Sequence, residues 1–340
     1  MKCTNKMRLL CLCGIAAIFM SGCGQTVVSY DNPYDIYATS ADYGLTSEGA
    51  GSEKTYFSQN LCVADDVNVG MESTDSKVAE GAGTFNLATN TVTYAQNIYE
   101  KLYPASTTKI LTAYIALKYG NLEDYVTVSE NAANQASDSS VCGLKAGDVV
   151  QLKDLLYGMM LKSGNDAAIA IAEHLGGSVE GFADMMNQEA LAMGATRSHF
   201  VNPNGLPDEN HYTSVYDLYL IFQNAVQNQT FVDIISTMSY DVVYTDVNGS
   251  SVEKTWENTN QYLTGKEKAP EGITVVGGKT GTTGAAGYCL VLYSYNASGQ
   301  PIVSIVLKAD GKSNLYLLMN EMLIPLFVNR KVVNFLLNLC

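Results

Sequence analysis

The spacing of apolar positions divides the chain into stretches of different character. Leu9 to Met20 is a single apolar run, too short to cross about 30 Å of hydrocarbon. Residues 24 to about 60 keep no period and are rich in Tyr, Ser, Thr, Gly and Asp, the composition of a flexible spacer. From about residue 61 the pattern is that of a folded domain. Gly83 to Leu87 and Thr91 to Tyr94, around Ala88-Thr89-Asn90, predict two strands and a turn. Ile110 to Leu117 is apolar, with Pro104 ahead of it and Gly120 behind it, which predicts a buried helix.

Residues 121–150 are mixed and polar, with turns at Gly143 and Gly147. Leu152, Leu155, Leu156, Met159 and Met160 recur at helical spacing and predict a helix over Gln151 to Leu161. Asp166 to Leu175 and Val179 to Met193 predict two more. Phe200 to Asn210, with Pro203, Gly205 and Pro207, reads as a loop, and Ser214 to Val226 as a helix. The period then becomes two. Tyr240 to Thr245 and Val252 to Trp256 flank Asn248-Gly249, a hairpin turn pair. Ile273 to Lys279, Gly287 to Tyr295 and Pro301 to Leu307 predict three further strands. A last helix starts near Asn314 and is broken at Pro325. The order predicts an α+β fold: an antiparallel sheet flanked by helices, with a helical lobe inserted over about 120–235.

Composition bounds the function. The 340 residues are 47% hydrophobic and 16% charged, enough for a sizeable core. A net charge of −14 argues against a nucleic-acid surface, which needs clustered Lys and Arg. Lys2, Lys6 and Arg8 precede the first apolar run, and Met20-Ser21-Gly22-Cys23 follows it. That is an export signal over residues 1–22. It resembles a bacterial lipoprotein signal, which implies a lipid on Cys23 and attachment to the outer side of the cell membrane. Met20 departs from the usual leucine there, and an ordinary secretory signal is the alternative. Residues 23–60 are then the spacer and 61–340 the folded domain. Cys3, Cys11 and Cys13 leave with the signal. The spacing of Cys62, Cys142, Cys289 and Cys340 selects neither a metal site nor a disulfide pairing, and buried free thiols are the simpler expectation.

The candidate chemistry begins at Ser106-Thr107-Thr108-Lys109, at the mouth of the apolar helix. Spacing i to i+3 puts Ser106 and Lys109 on one face. Free N–H groups at a helix start favour an alkoxide, and a desolvated lysine can serve as its base. Taken alone the motif is weak, since Ser251-Val252-Glu253-Lys254 repeats it. Ser163-Gly164-Asn165 is weaker still, because Ser58-Gln59-Asn60 and Ser129-Glu130-Asn131 share its pattern. Lys279-Thr280-Gly281 occurs once, at a strand end. In this order the three form the Ser-X-X-Lys, Ser-X-Asn, Lys-Thr-Gly set of penicillin-recognising serine enzymes.

From about residue 60 to about 325 the chain resembles the D-alanyl-D-alanine carboxypeptidases, the low-molecular-mass penicillin-binding proteins. Tyr103 to Lys109, Ser163 to Ala168, Phe200 to Leu206, His211, Asp217 and Asn258-Thr259-Asn260 carry the likeness with Lys279-Thr280-Gly281. It implies a β-lactamase/transpeptidase-like fold without cofactor or metal. The substrate would be a peptidoglycan stem peptide ending in D-Ala-D-Ala, with β-lactams as inhibitors. Ser106 would be the nucleophile, Lys109 its base and Ser163 the relay to the leaving D-alanine. Asn165 would orient Lys109 or bind the substrate amide. Lys279, Thr280, Gly281 and Thr282 would bind substrate, with the N–H groups of Ser106 and Thr282 as oxyanion hole. Relatives commonly carry a large residue where Thr282 stands, and a further C-terminal domain and anchor. Leu323 to Cys340 reads as a helix packed on the sheet, with weak membrane contact as the alternative.

Other features read as structural. His174, His199 and His211 are scattered, which disfavours a metal cluster or a Ser-His-Asp triad. His211 is expected to shape its loop, Trp256 to pack, and Asp65, Asp66 and Asp138 to be solvated. The rival readings are a β-lactamase on the same fold, a non-catalytic lipoprotein that binds wall peptides, and transpeptidation.

Overall fold

A computed structural model of the chain describes residues 58–71 and 74–324, all within one compact unit, Phe57–Cys340. The export signal, Cys23, nearly all of the spacer, Pro325 and Cys340 lie outside the described residues.

The first hairpin, β1 (Ala79–Asn86) and β2 (Thr91–Gln96), turns through Asn90 at φ 52°. A 3-10 turn over Ala105–Thr108 leads into α1 (Lys109–Tyr119). Next come β3 (Tyr125–Thr127), α2 (Glu130–Ala133), β4 (Val149–Gln151), α3 (Leu152–Leu161), α4 (Asn165–Gly176) and α5 (Val179–Ala192). After a long loop follow α6 (Val215–Ala225), α7 (Gln229–Ser236) and the hairpin β5 (Ser239–Thr245) and β6 (Ser251–Glu257). The chain then adds β7 (Thr274–Thr283), β8 (Gly287–Tyr295), β9 (Pro301–Ala309) and α8 (Lys312–Leu323).

The main sheet is antiparallel with order β2-β1-β9-β8-β7, so the closing strands return beside the first hairpin. Both of its faces are covered. Phe85, Cys289, Val291, Val303, Ile305 and Leu307 join the large core around α1, α3 and α6. Ala82, Leu290, Leu292, Ile302 and Val306 pack under Leu315, Leu318, Met319 and Met322 of α8. A strand buried on both sides loses the polar half of its alternation, which is why β8 and β9 read as continuous apolar runs. Helix α1 is buried nearly all round, as expected of a helix at the centre of a domain.

The antiparallel sheet flanked by helices follows the sequence expectation. The insert differs in one respect. It contains β3 and β4, which join β5 and β6 in a second sheet of order β3-β4-β5-β6. Each of these short strands buries a single residue, Val126 or Val150, too few to display a period. Helix α7 also lies where no helix was predicted. Its signals were present: Asn228 caps it by accepting from the Thr230 N–H at 2.9 Å, and Phe231, Ile234 and Ile235 are buried at helical spacing. Cys62, Cys142 and Cys289 are buried free thiols. Among the described residues no helix is long and apolar enough to cross a membrane.

Candidate active site

Ser106 is not in the helix proper. Ala105 takes φ 49° and the next residues form the 3-10 turn, so α1 begins only at Lys109. The loop around Asn204 closes over this turn. Gly205, at φ 85°, comes so near that a Cβ would lie 1.8 Å from the Ala105 carbonyl oxygen, so glycine is required there on both counts. Strand β7 passes the other side. A Cβ on Gly281 would lie 2.9 Å from the Ser106 nitrogen and 3.1 Å from the Thr107 nitrogen.

Lys109 is fully buried, and its Nζ has three oxygen neighbours. Ser106 Oγ is at 2.9 Å, Asn165 Oδ1 at 2.7 Å and the Asn204 carbonyl at 2.7 Å. A neutral amine has two N–H donors and one lone pair. The Asn165 and Asn204 oxygens can only accept. They take the two donors and leave the lone pair facing the Ser106 hydroxyl. Burial pushes the Lys109 pKa well below its ordinary value, and the positive charge of Lys279 pushes it the same way.

Ser163 joins α3 to α4 in the left-handed region, at φ 62°, a conformation that costs a non-glycine residue on the order of 1 kcal/mol or more. Its Oγ accepts from Lys279 Nζ at 2.9 Å. Lys279 also donates to the Thr280 carbonyl at 2.8 Å, and burial lowers its pKa to about 7. Asn165 is the first residue of α4. Gly164 before it has no room for a side chain, since a Cβ would stand 2.3 Å from Cys142 Sγ. The Asp166 carboxylate accepts from the N–H groups of Cys142, Gly143 and Leu144 at 2.9–3.0 Å and fixes that loop against α4. Lys254 of the second Ser-X-X-Lys lies on strand β6 and donates to the Cys142 and Gly143 carbonyls, so it supports the same loop.

Ser106, Ser163, Thr280, Gly281 and Thr282 line one cleft of about 220 Å3, with Thr259, Tyr288, Lys312 and Tyr316 among the other walls. Lys109, Asn165 and Lys279 are buried residues behind it. The structure thus gathers every residue that the sequence nominated for the site, save Cys23. Three features were not foreseen. The Asn204 carbonyl is a backbone group without a side-chain signature. Thr259 Oγ1 lies 2.6 Å from Thr280 Oγ1. His211 reaches Thr108 Oγ1 through Nε2 at 2.8 Å, while its Nδ1 accepts from the Val201 N–H at 3.2 Å. That acceptor role places the ring proton on Nε2. Burial holds the His211 pKa down at about 4, so the ring is neutral at ordinary pH.

Fold and site together define the β-lactamase/transpeptidase-like class of active-site serine proteins. The D-alanyl-D-alanine carboxypeptidase family model (peptidase family S11) matches residues 70–311. The chain belongs to this family. It is 35% identical over 219 residues to the D-alanyl-D-alanine carboxypeptidase DacF of Bacillus subtilis, covering 62% of this chain and 53% of that protein. It is 32% identical over 240 residues to the D-alanyl-D-alanine carboxypeptidase of Streptomyces sp. strain K15, covering 67% and 80%. A crystal structure of the Streptomyces K15 DD-transpeptidase is similar with TM-score 0.66 at 31% identity, over 72% of this chain and 97% of that one. The chain spans about half the length of DacF and of DacA from Haemophilus influenzae.

Proposed function

We propose that this chain is an extracytoplasmic serine D-Ala-D-Ala carboxypeptidase that trims peptidoglycan stem peptides and is acylated by β-lactams. The observation that carries the reading is the set of three oxygens around Lys109 Nζ. It makes a buried amine into a base aimed at a hydroxyl. Lys109 takes the Ser106 proton as Oγ attacks the carbonyl between the two D-alanines. The N–H groups of Ser106 and Thr282 receive the oxyanion, and a single such donor is worth roughly 10²–10³ in rate. Lys279 and Thr280 hold the terminal carboxylate, with Gly281 leaving room for the substrate backbone. Ser163, paired with Lys279, delivers a proton to the departing amine. Asn165 holds Lys109 in register. Water then cleaves the ester and frees the shortened peptide. A β-lactam enters by the same attack, but its leaving amine stays tethered after the ring opens.

The reading extends to the parts that lie outside the described residues. Residues 1–22 direct export, lipid on Cys23 holds the chain at the membrane, and 23–60 space the catalytic domain from it. These assignments rest on the sequence pattern alone. Intact mass of the natural chain tests them: a diacylglyceryl-sized addition at Cys23 is expected, and an unmodified new N-terminus elsewhere refutes the anchor.

The test of the activity is intact mass over time for the full chain carrying Cys23→Ser, mixed with benzylpenicillin, beside the same chain with Ser106→Ala. A long-lived adduct that the second variant lacks, with D-alanine released from a tripeptide ending in D-Ala-D-Ala, is the expected result. Rapid drug consumption without an adduct would make the protein a β-lactamase. Neither adduct nor consumption would leave a binding protein.

A further inference from the structure

Helix α8 covers only part of its face of the main sheet. It packs on Ala82, Leu290, Leu292 and Val306 and stops at Leu323. Where it stops, a groove of about 540 Å3 opens beside it. Thr84, Tyr94 and Ile302, of β1, β2 and β9, line the groove from the sheet. Met322 and Ile324 line it from the end of α8, and Val69 from the segment ahead of β1. Val69 is 42% exposed, a large apolar side chain with no cover of its own. Beside the groove runs β2, an edge strand of the sheet, which is where an uncovered apolar surface invites wrong pairing.

The chain itself supplies an occupant. Ile324 is extended, at φ −76° and ψ 120°, the conformation imposed on a residue before proline. Because Ile324 lines the groove, residues 325–340 set out from inside it. Their sequence carries a helical stripe. Val328, Val332, Phe335, Leu336 and Leu339 recur at i, i+4, i+7, i+8 and i+11, while Arg330, Lys331, Asn334 and Asn338 fall on the opposite side. Pro325 suits the start of such a helix. Val328 is four residues past Ile324, so it lies within about 14 Å of the groove wall. A helix over 328–339 is about 18 Å long, close to the length of about 20 Å that the six residues of β2 span.

We infer that residues 325–340 fold back as an amphipathic helix into this groove, with the Val328–Leu339 stripe on the sheet and Arg330 and Lys331 in solvent. The segment continues the cover that α8 begins, and the same apolar surface that would seek a membrane is spent on the protein's own sheet. The groove lies on the β2-β1-β9 side of that sheet, whereas the active-site cleft is walled by β7 at the other edge. The docking is therefore independent of the proposed chemistry.

The test is native-state hydrogen exchange, read by mass spectrometry of peptic fragments, on the full chain carrying Cys23→Ser. Amides in 326–339 should exchange at least about tenfold more slowly than in a free peptide of that sequence. Phe335→Asp/Leu336→Asp puts two charges on the stripe and should abolish the protection. Val69→Asp/Thr91→Asp changes two exposed groove residues and should abolish it from the other side, since the stripe would then bury charge. Both double variants should keep one cooperative thermal transition, which separates lost docking from lost folding. Unprotected amides in 326–339, or protection that survives either double variant, would overturn the docking. So would protection that appears only on phosphatidylglycerol vesicles, the mark of a membrane contact, or only at high protein concentration, the mark of a second copy.

Discussion

Lys279 Nζ donates to Ser163 Oγ across 2.9 Å, joining a strand of the main sheet to the junction of two helices in the insert. The lysine is buried and its pKa is brought down to about 7 by that burial. It is therefore a cation that neutral pH can discharge, at the point where the proposed substrate presents its carboxylate.

The first expectation concerns pH. The proposed acylation needs Lys109 neutral and Lys279 charged. Both values are lowered, and Lys279's charge is itself one of the causes that lower Lys109, so the neutral–charged combination is the favoured singly protonated state. The kcat/KM for D-alanine release should rise as Lys109 loses its proton and fall as pH passes above about 7, where Lys279 loses its charge. Lys279→Arg keeps the cation at all working pH values. It should move the falling limb upward by at least about one pH unit. A pH profile of both proteins decides the point; a falling limb unmoved by the substitution would assign it to another group.

Removing the Lys109 amine should silence the site without unfolding the protein. Lys109→Met keeps the apolar stem but leaves Asn165 Oδ1 and the Asn204 carbonyl without their donor. Each orphaned acceptor costs roughly 1–3 kcal/mol, offset in part because a buried amine no longer has to be desolvated. Benzylpenicillin acylation should slow by at least about 10²-fold, the contribution of a positioned base, while thermal unfolding shows a single cooperative transition a few degrees from that of the natural chain. Acylation within a factor of ten of the natural rate would place the base elsewhere.

His211 should make the protein sensitive to acid. Its pKa is about 4 in the fold against an ordinary 6.5, because burial disfavours the cation. Between those values the unfolded chain binds a proton that the native state refuses. The stabilising contribution is therefore whole above pH 6.5 and is lost as pH falls toward 4, with a ceiling on the order of 3 kcal/mol. His211→Gln should flatten urea midpoints measured from pH 6.5 to 4.5 relative to the natural chain. Parallel curves would show that other groups govern acid unfolding.

Much of this was legible in the sequence, and the gaps have physical causes. Ser106, Lys109, Ser163, Asn165 and Lys279 announce themselves because their side chains do the touching and their types are those the chemistry demands. Asn204 acts through its carbonyl, which any residue carries. The pairing of Thr259 with Thr280 and of His211 with Thr108 comes from chain crossings that no local spacing encodes. Ser106 does stand at the mouth of α1, but the 3-10 turn that carries it is not legible, because the positive φ of Ala105 has no signature in an alanine. Strands β3 and β4 are three residues each, too short for a pattern, so only the β5–β6 hairpin of the second sheet has a signature in the sequence.

Gly164 offers the sharpest steric test of the site's architecture. It stands between Ser163 and Asn165, and its backbone approaches Cys142 so closely that a methyl group would lie 2.3 Å from the sulfur and 2.8 Å from Asp166 Oδ1. Cys142 is itself held, since its N–H donates to Asp166, so the sulfur cannot retreat without disturbing the loop that borders α4. Gly164→Ala should therefore destabilise the protein by about 1–3 kcal/mol, the usual cost of overpacking. It should also slow acylation, because Ser163 and Asn165 are displaced together. Cys142→Ala removes the clashing atom. If the sulfur is the obstacle, the double variant should recover part of the lost stability, giving a coupling of about 1 kcal/mol in a double-mutant cycle measured by urea unfolding. The remaining deficit would belong to Asp166. Strict additivity of the two substitutions would mean that Asp166 and the Cys142 backbone, and not the sulfur, are the obstacle, since Gly164 at φ −59° and ψ 117° has a backbone any residue can adopt.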